Sequence, residues 1–396
     1  MSYIKNRIYF LIFGLLTVIF TLLSVKAANA QNEVLVVDNN FNAPTGPLIF
    51  STLQEAADQA DLMPGTQIIQ VKPSPSNYGN VTLRSQVILQ GIGFDLTKEF
   101  PYESNIGTIN LSVKGDLSEN ASGSLITGLR IYEIFLNAST AVNLANIEIF
   151  NNVIGRLQLI SGRNADSFLF RYNYIYGIGG YSILLYGFID NSTIRNNVIV
   201  GQWWFEYTSP SSNVINNNLI YGNIKFMALG TSTLFINNNF VGNNTDSFIS
   251  NFRDCTVNNN IFFGRAPKGA STFHSNTFNN NITWQTSAEA LPPAALGGPV
   301  NIGQDNKPTE NPLFVNAPTL TNSWDDTYDF NLQGGSPALL AGSDGTDIGI
   351  TGGPNPWLDG NLVLRTTAIP TIESLNTSGV VNPGDNLKVR VRVKGN

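Results

Sequence analysis

From about residue 146 to residue 285, short apolar pairs alternate with runs of asparagine. The runs are Asn196-Asn197, Asn216 to Asn218, Asn237 to Asn239, Asn258 to Asn260 and Asn279 to Asn281. The last asparagine of each run falls at 197, 218, 239, 260 and 281, a step of 21 residues every time. Three positions before it stand Ile194, Ile215, Ile236, Val257 and Phe278, and two positions after it Ile199, Ile220, Val241, Phe262 and Thr283. Asn152 and Asn173 continue the series backwards at the same step, and the 24 residues from Asn173 to Asn197 predict one loop with three extra residues. A period this short, with no helical pattern inside it, predicts an all-β solenoid of stacked coils. The apolar columns then form one continuous stack, rising about 4.8 Å per coil between parallel strands.

The asparagines fit the corners of such coils. Asparagine tolerates the left-handed backbone conformation, and its amide bonds nearby backbone. Identical amides at one height also bond each other from coil to coil. The spacing therefore predicts a structural ladder through Asn152, Asn173, Asn197, Asn218, Asn239, Asn260 and Asn281. A second column, Arg195, Asn216, Asn237, Asn258 and Asn279, falls on the side opposite the inward isoleucines, which makes it a candidate binding surface.

The flanks divide the rest of the chain. Residues 1–30 read as a secretory signal peptide: Lys5 and Arg7, an apolar run from 8 to 25, then Ala28-Asn29-Ala30 before Gln31. An uncleaved membrane anchor is the competing reading; after cleavage no membrane contact is expected. Residues 31–66 predict a strand and a helix over 51–62 that caps the open end of the solenoid. Ser51 and Gln54 fit a capping box, and Leu53, Ala56, Ala57 and Ala60 form one apolar stripe. Coils are expected over 67–300 and a closing segment over 301–369. Residues 370–396 predict a hairpin around Asn382-Pro383-Gly384, with basic residues and valine alternating from 388 to 394. It either caps the solenoid, begins a β-sandwich-like module, or pairs with the sheet edge of a partner.

The order helix, "IIQVKP", Tyr78, "VTL", "VILQGIG" over residues 53–94 resembles the opening of the pectate-lyase-like right-handed parallel β-helix proteins. The runs "NPLFVNAP", "YDFNLQGGSPALLAG" and "DGTDIGITGG" resemble the closing segment of secreted bacterial members, although Ile350-Thr351 departs from it. The resemblance implies a single-stranded right-handed parallel β-helix, with a capping helix before it and a short hairpin after it. It also implies a bacterial protein of the cell surface or exterior. It is silent on chemistry.

The chemistry-bearing residues are sparse. Charged residues make up 13% of the chain, about half the usual share. Without the leader, 19 basic residues face 28 acidic ones, a net charge of −9, and no basic stripe points to nucleic acid. Cys255 has no disulfide partner and reads as a buried small hydrophobe. His274 is the only histidine. Calcium-dependent lyases of the resembled fold carry clustered carboxylates and an Arg or Lys base. Between 190 and 285 the acids are Asp190, Glu206, Asp246 and Asp254, with no two stacked in adjacent coils. No cofactor is therefore expected; calcium is conceivable but lacks a carboxylate cluster. Asp344 and Asp347 read as turn residues.

Aromatic residues supply the positive signal. Tyr172, Tyr174, Tyr176, Tyr181 and Tyr186 are followed by Trp203, Trp204, Phe205 and Tyr207. Neighbours in a strand alternate, so one of Trp203 and Trp204 faces outward. Trp203, Trp204, Tyr207, Tyr174 and Tyr176, with Glu206 and Arg195, form the candidate carbohydrate-binding set. The sequence thus supports a secreted or cell-surface β-helix that binds a polysaccharide or cell-surface glycan, or serves adhesion, without catalysis. The alternative is a polysaccharide lyase or glycoside hydrolase acting on a plant, algal or microbial polysaccharide, which rests on resemblance alone.

Overall fold

The computed structural model describes residues 33–92, 102–138, 141–159, 164–205, 212–230, 232–243, 247–317, 322–358, 371–377 and 389–394. The leader (1–30), Glu206 and Tyr207 lie outside the described residues.

Each coil contributes one short strand to a first sheet and one or two to a second, and all of these pairings are parallel. The result is a right-handed parallel β-helix. The first sheet, twelve strands wide, runs from Ile49–Phe50 and Val34–Val37 through Thr193–Arg195 and Val214–Asn216 to Thr277–Asn279. The second runs through Arg130–Leu136, Val153–Leu159, Val198–Ile199 and Ile261–Phe263 to Ile282–Trp284. Inward side chains from both sheets fill the lumen. Phe170, Ile194, Ile215, Phe235, Val257 and Phe278 come from the first sheet, and Ile154, Ile175, Ile199, Ile220, Phe240 and Phe262 from the second. The rings of Phe240 and Phe262 stack 5.0 Å apart at an angle of 8°.

The helix spans Leu53–Ala60 and lays its apolar stripe over the first coils, as expected of a cap. Its capping box lies one residue later than the sequence pattern suggests: Thr52 is the N-cap and Glu55 reaches back to it. Ser51 instead hydrogen-bonds the Glu55 carboxylate.

The predicted ladder exists, with one correction. Each amide oxygen accepts from the backbone N–H and the side-chain amide of the preceding rung, through Asn152, Asn173, Asn197, Asn218, Asn238, Asn260 and Asn281 to Asn306. The rung is Asn238, not Asn239. One coil is 20 residues long and the next 22, so the 21-residue average hides a local slip. Both Phe235 and Ile236 are apolar, and it is Phe235 that turns inward, which moves every later residue of that strand by one position. Phe240 replaces Val241 in the lumen for the same reason, and Ile236 replaces Asn237 in the outward column of the first sheet.

The residue before each rung is the left-handed one: Asn196, Asn217, Asn237, Asn259 and Asn280 have φ from 51° to 57°. The corner therefore divides the labour. One asparagine turns the chain, and the next satisfies the buried backbone.

A second stack lines the corner that returns to the first sheet, through Ser192, Asn213, Thr233, Cys255, Asn276 and Asn301. Here Ser192 N–H donates to Asn213 Oδ1 at 2.9 Å, and Asn276 N–H to Asn301 Oδ1 at 3.0 Å. Cys255 holds one rung, buried, with Sγ 3.0 Å from the Arg253 carbonyl oxygen.

The closing segment adds the last rungs of the solenoid at Asn301 and Asn306 and then folds back along its flank. The left-handed asparagines hold it. Asn280 Nδ2 donates to the Ala341 carbonyl, Asn237 to Asp347, Asn217 to Ile350 and Gly352, and Asn196 to Asn355. As the strap advances from 341 to 355 it descends the coils. Beneath it Val198, Leu219, Tyr221, Ile261, Phe263 and Ile282 of the second sheet meet Phe314, Phe330, Ile348, Ile350 and Trp357 in a second apolar core outside the coil. The two strands Thr371–Thr377 and Val389–Lys394 pair antiparallel, as the hairpin pattern predicts.

The slip is testable by substitution. Asn238→Ala removes a rung and leaves buried carbonyls without donors, so it should lower unfolding free energy in urea by about 2–4 kcal/mol. Asn239→Ala removes one acceptor for Ile350 N–H and should cost about 1 kcal/mol. Equal losses would contradict the register. Burial pushes the Cys255 thiol from 9.0 up to about 12. Between those values the unfolded chain releases the thiol proton while the folded chain keeps it, so stability falls as pH rises through this window. Urea midpoints across that range should show a steeper fall for the native chain than for Cys255→Ser.

Candidate functional site

The fold places the sequence-predicted aromatics on different faces. Trp203 points into the lumen and is fully buried, which removes it from the candidate set. Trp204 faces outward, its ring edge-on to Tyr181 at 5.7 Å and 76°. Arg195 lies on the outer face of the first sheet. There its Nη1 donates to Asn196 Oδ1 at 3.0 Å, and its guanidinium sits 5.6 Å from the Tyr172 ring centre. Tyr174 and Tyr176 lie on the outer face of the second sheet, 6.3 Å apart, with Tyr174 against Trp324 of the closing segment at 4.6 Å. The set is thus split over three surfaces.

Tyr176 belongs to a longer feature, and Tyr174 lies in the outward column next to it. Strand register places Tyr132, Gly155, Tyr176, Val200, Tyr221, Val241, Phe263 and Trp284 in one outward row at the bend of the second sheet. The strap and its preceding hairpin bury the row from Tyr221 to Phe263. Towards the amino-terminal coils the row leaves this cover. Tyr176 is half-buried, and Tyr132 is 53% exposed. Gly107 and Gly155 stand opposite Tyr132 on the neighbouring coils, and the side chains of Asn80 and Ile178 lie over them. A Cβ on Gly155 would lie 2.3 Å from the Tyr132 carbonyl oxygen, so the close approach itself requires glycine there. Tyr132 and Tyr176 are two inter-strand steps apart, roughly 9–10 Å.

Arg130, two residues before Tyr132 on the same outward face, is ion-paired with Glu103 and lies in the column of Tyr174. Burial lifts the Tyr174 and Tyr176 phenols above their ordinary range, while the Arg130 charge pulls the other way. At neutral pH both rings therefore present hydroxyls that donate as well as accept. The alternation of Arg130, Ile131 and Tyr132 is the sequence signal that would have found this end of the row.

Other candidate groups are engaged elsewhere. His274 Nδ1 lies 3.0 Å from Ser275 Oγ. Asp344 accepts from Thr346, and Asp347 from the Leu340 N–H, which is turn chemistry. Glu133, nearly buried, is paired with Arg156 on the next coil. Among the described residues no group of three or more His, Cys, Asp or Glu side chains is placed to hold a metal ion. A hollow of about 760 Å³ lies by the first strand near Asp38, Asn40, Phe50 and Glu55. Asp38 there accepts from Asn40, and Glu55 completes the helix cap.

No family profile matches the chain, and no curated protein does. Among solved structures it is similar to the A-module of the mannuronan C-5 epimerase AlgE6 of Azotobacter vinelandii, at 12% identity and TM-score 0.37 over 64% of this chain and 93% of that one. It is also similar to the tailspike gp49 of the Acinetobacter baumannii bacteriophage Fri1, a capsular polysaccharide depolymerase, at 12% identity and TM-score 0.31 over 70% and 62%. At these scores neither carries a site across.

The strap should be removable without unwinding the coils. A Cβ on Gly352 would lie 1.7 Å from the Asp347 carbonyl oxygen, so Gly352→Ala must displace this part of the strap. Limited proteolysis should then cut near residue 350 and dye binding should report the uncovered apolar face, while far-ultraviolet circular dichroism stays that of the native protein. Resistance equal to the native chain would show that the strap does not depend on this approach.

Proposed function

We propose that this protein is an exported β-helix that binds an extended polysaccharide on the outer face of its second sheet and does not cleave it. The observation that carries the reading is the aromatic row that leaves the strap at Tyr176 and ends at the exposed Tyr132, with Tyr174 and Arg130 in the adjacent outward column. Sugar rings expose C–H faces that lie against aromatic rings, and their hydroxyls suit phenols and a guanidinium. Rings held on a rigid sheet lose little freedom on binding. The leader read from residues 1–30 supports export, and the hairpin at 371–394 is a means of attachment to a partner's sheet edge.

The binding reading is preferred to cleavage because of how the acids near the row are used. Glycoside hydrolysis needs two carboxyl groups flanking one bond. Glu103 is held by Arg130 and Glu133 by Arg156, which leaves neither poised as an acid or a nucleophile.

Affinity electrophoresis of the full chain through a panel of neutral and anionic polysaccharides should show retardation by at least one polymer. Tyr132→Ala should weaken that retardation about tenfold at unchanged melting temperature, with Tyr176→Ala similar in binding but lower in melting temperature because its ring packs on the second core. Release of reducing ends or unsaturated products by the native protein would overturn the reading in favour of a lyase or hydrolase.

A further inference from the structure

We infer that the opposite end of the aromatic row forms a second, separate site, which takes a single neutral sugar ring. The row ends at Trp284, half-buried, on the coil before the last rungs. Beside it the hairpin Phe314–Asn316 with Asp329–Leu332, whose Phe314 ring packs on Phe263 at 5.5 Å, borders a hollow of about 400 Å³. That lies at the small end of ligand pockets, which run from about 300 to 1,000 Å³, and suits one ring better than a chain.

The rim is built of amides that are already oriented. Asn311 Oδ1 accepts from Leu313 N–H at 3.0 Å. Asn316 Nδ2 donates to the Thr327 carbonyl at 2.8 Å, and Gln333 Nε2 to the Phe314 carbonyl at 2.7 Å. Each bond fastens one end of an amide to backbone and turns the other end outward. Asn311 Nδ2, Asn316 Oδ1 and Gln333 Oε1 have no partner among the described residues. The rim therefore offers one donor and two acceptors in a hollow that the Trp284 indole also lines. A ring hydroxyl both donates and accepts, so it matches either kind, and prior fixing of the amides lowers the ordering cost of binding.

The hollow also excludes a class of ligand. Its lining contains no Asp, Glu, Lys, Arg or His side chain. A uronate or sulfated sugar would lose hydration there without gaining an opposite charge. The Tyr132 surface, with Arg130 beside it, has no such restriction. The inference stands on the hollow's own chemistry and does not depend on polymer binding at Tyr132.

Saturation-transfer NMR on the full chain tests it with glucose, galactose, mannose, N-acetylglucosamine and glucuronate as probes. At least one neutral sugar should show transfer and glucuronate none. Asn311→Asp keeps the acceptor for Leu313 N–H and replaces only the outward donor, so it should weaken the neutral sugar about tenfold without unfolding the strap. Trp284→Ala should abolish the signal, and Tyr132→Ala should leave it unchanged. Absence of transfer from every neutral sugar, an unchanged signal in Asn311→Asp, or a loss in Tyr132→Ala would overturn the assignment.

Discussion

Everything in this molecule depends on one buried contact: an asparagine amide lying directly above another. At each corner the chain turns out of one sheet into the next, and its backbone groups leave the ladder. Buried without partners they would cost about 1–3 kcal/mol each. Asn218 shows how the amide resolves this. Its Nδ2 donates to the carbonyls of Ile194 and Asn216 and to Asn238 Oδ1, while its own Oδ1 accepts twice from Asn197. A shorter hydroxyl cannot both donate and accept across this span, and a longer amide would overshoot the spacing between strands. The corner height is therefore fixed, and the loops are not. Steps of 20, 21, 22, 24 and 25 residues all bring the chain back to the same rung.

That constraint explains which parts of the structure were legible in the sequence. The period, the ladder and the capping helix follow from repeated residues whose partners sit one period away. The slip at Asn238 was hidden because Phe235 and Ile236 are both apolar, and only packing in the lumen chooses between them. The strap was hidden for another reason. Its residues carry no period of their own, and their partners lie 61 to 159 positions earlier. A trace of it does exist in the coils. Val198-Ile199, Leu219-Ile220 and Ile261-Phe262 are apolar on both faces, the mark of a strand covered on both sides. Of the candidate site, Tyr174 and Tyr176 were visible as a local cluster, whereas Tyr132, 42 positions before Tyr174, joins them only through strand register.

The strap also sets what the surface can do. The left-handed asparagines would otherwise present amides to solvent as a regular polar stripe, the kind of surface that invites a ligand. They are used up on the closing segment, through Asn196, Asn217, Asn237 and Asn280. The low charge of the chain fits the same picture. Arg130, Arg156 and Arg171 are each paired with a glutamate on an adjacent coil, so the ion pairs reinforce coil stacking more than they create a field.

The row itself shows how little separates a core from a binding surface. From Tyr132 to Trp284 its members share one register and one orientation, and nothing intrinsic distinguishes Tyr221, buried, from Tyr132, exposed. Only the cover differs. Where the strap lies, the rings contribute to stability through area removed from water, about 25 cal/mol per Å². Where it stops, the same rings on the same rigid spacing remain to be covered by something else. A saccharide chain laid across Tyr132 and Tyr176 would play the part for the first coils that Phe314, Ile350 and Trp357 play for the last. On this view a polymer would bind by extending the strap, and the affinity of the open end would be set by how closely a ligand imitates a segment the protein already supplies.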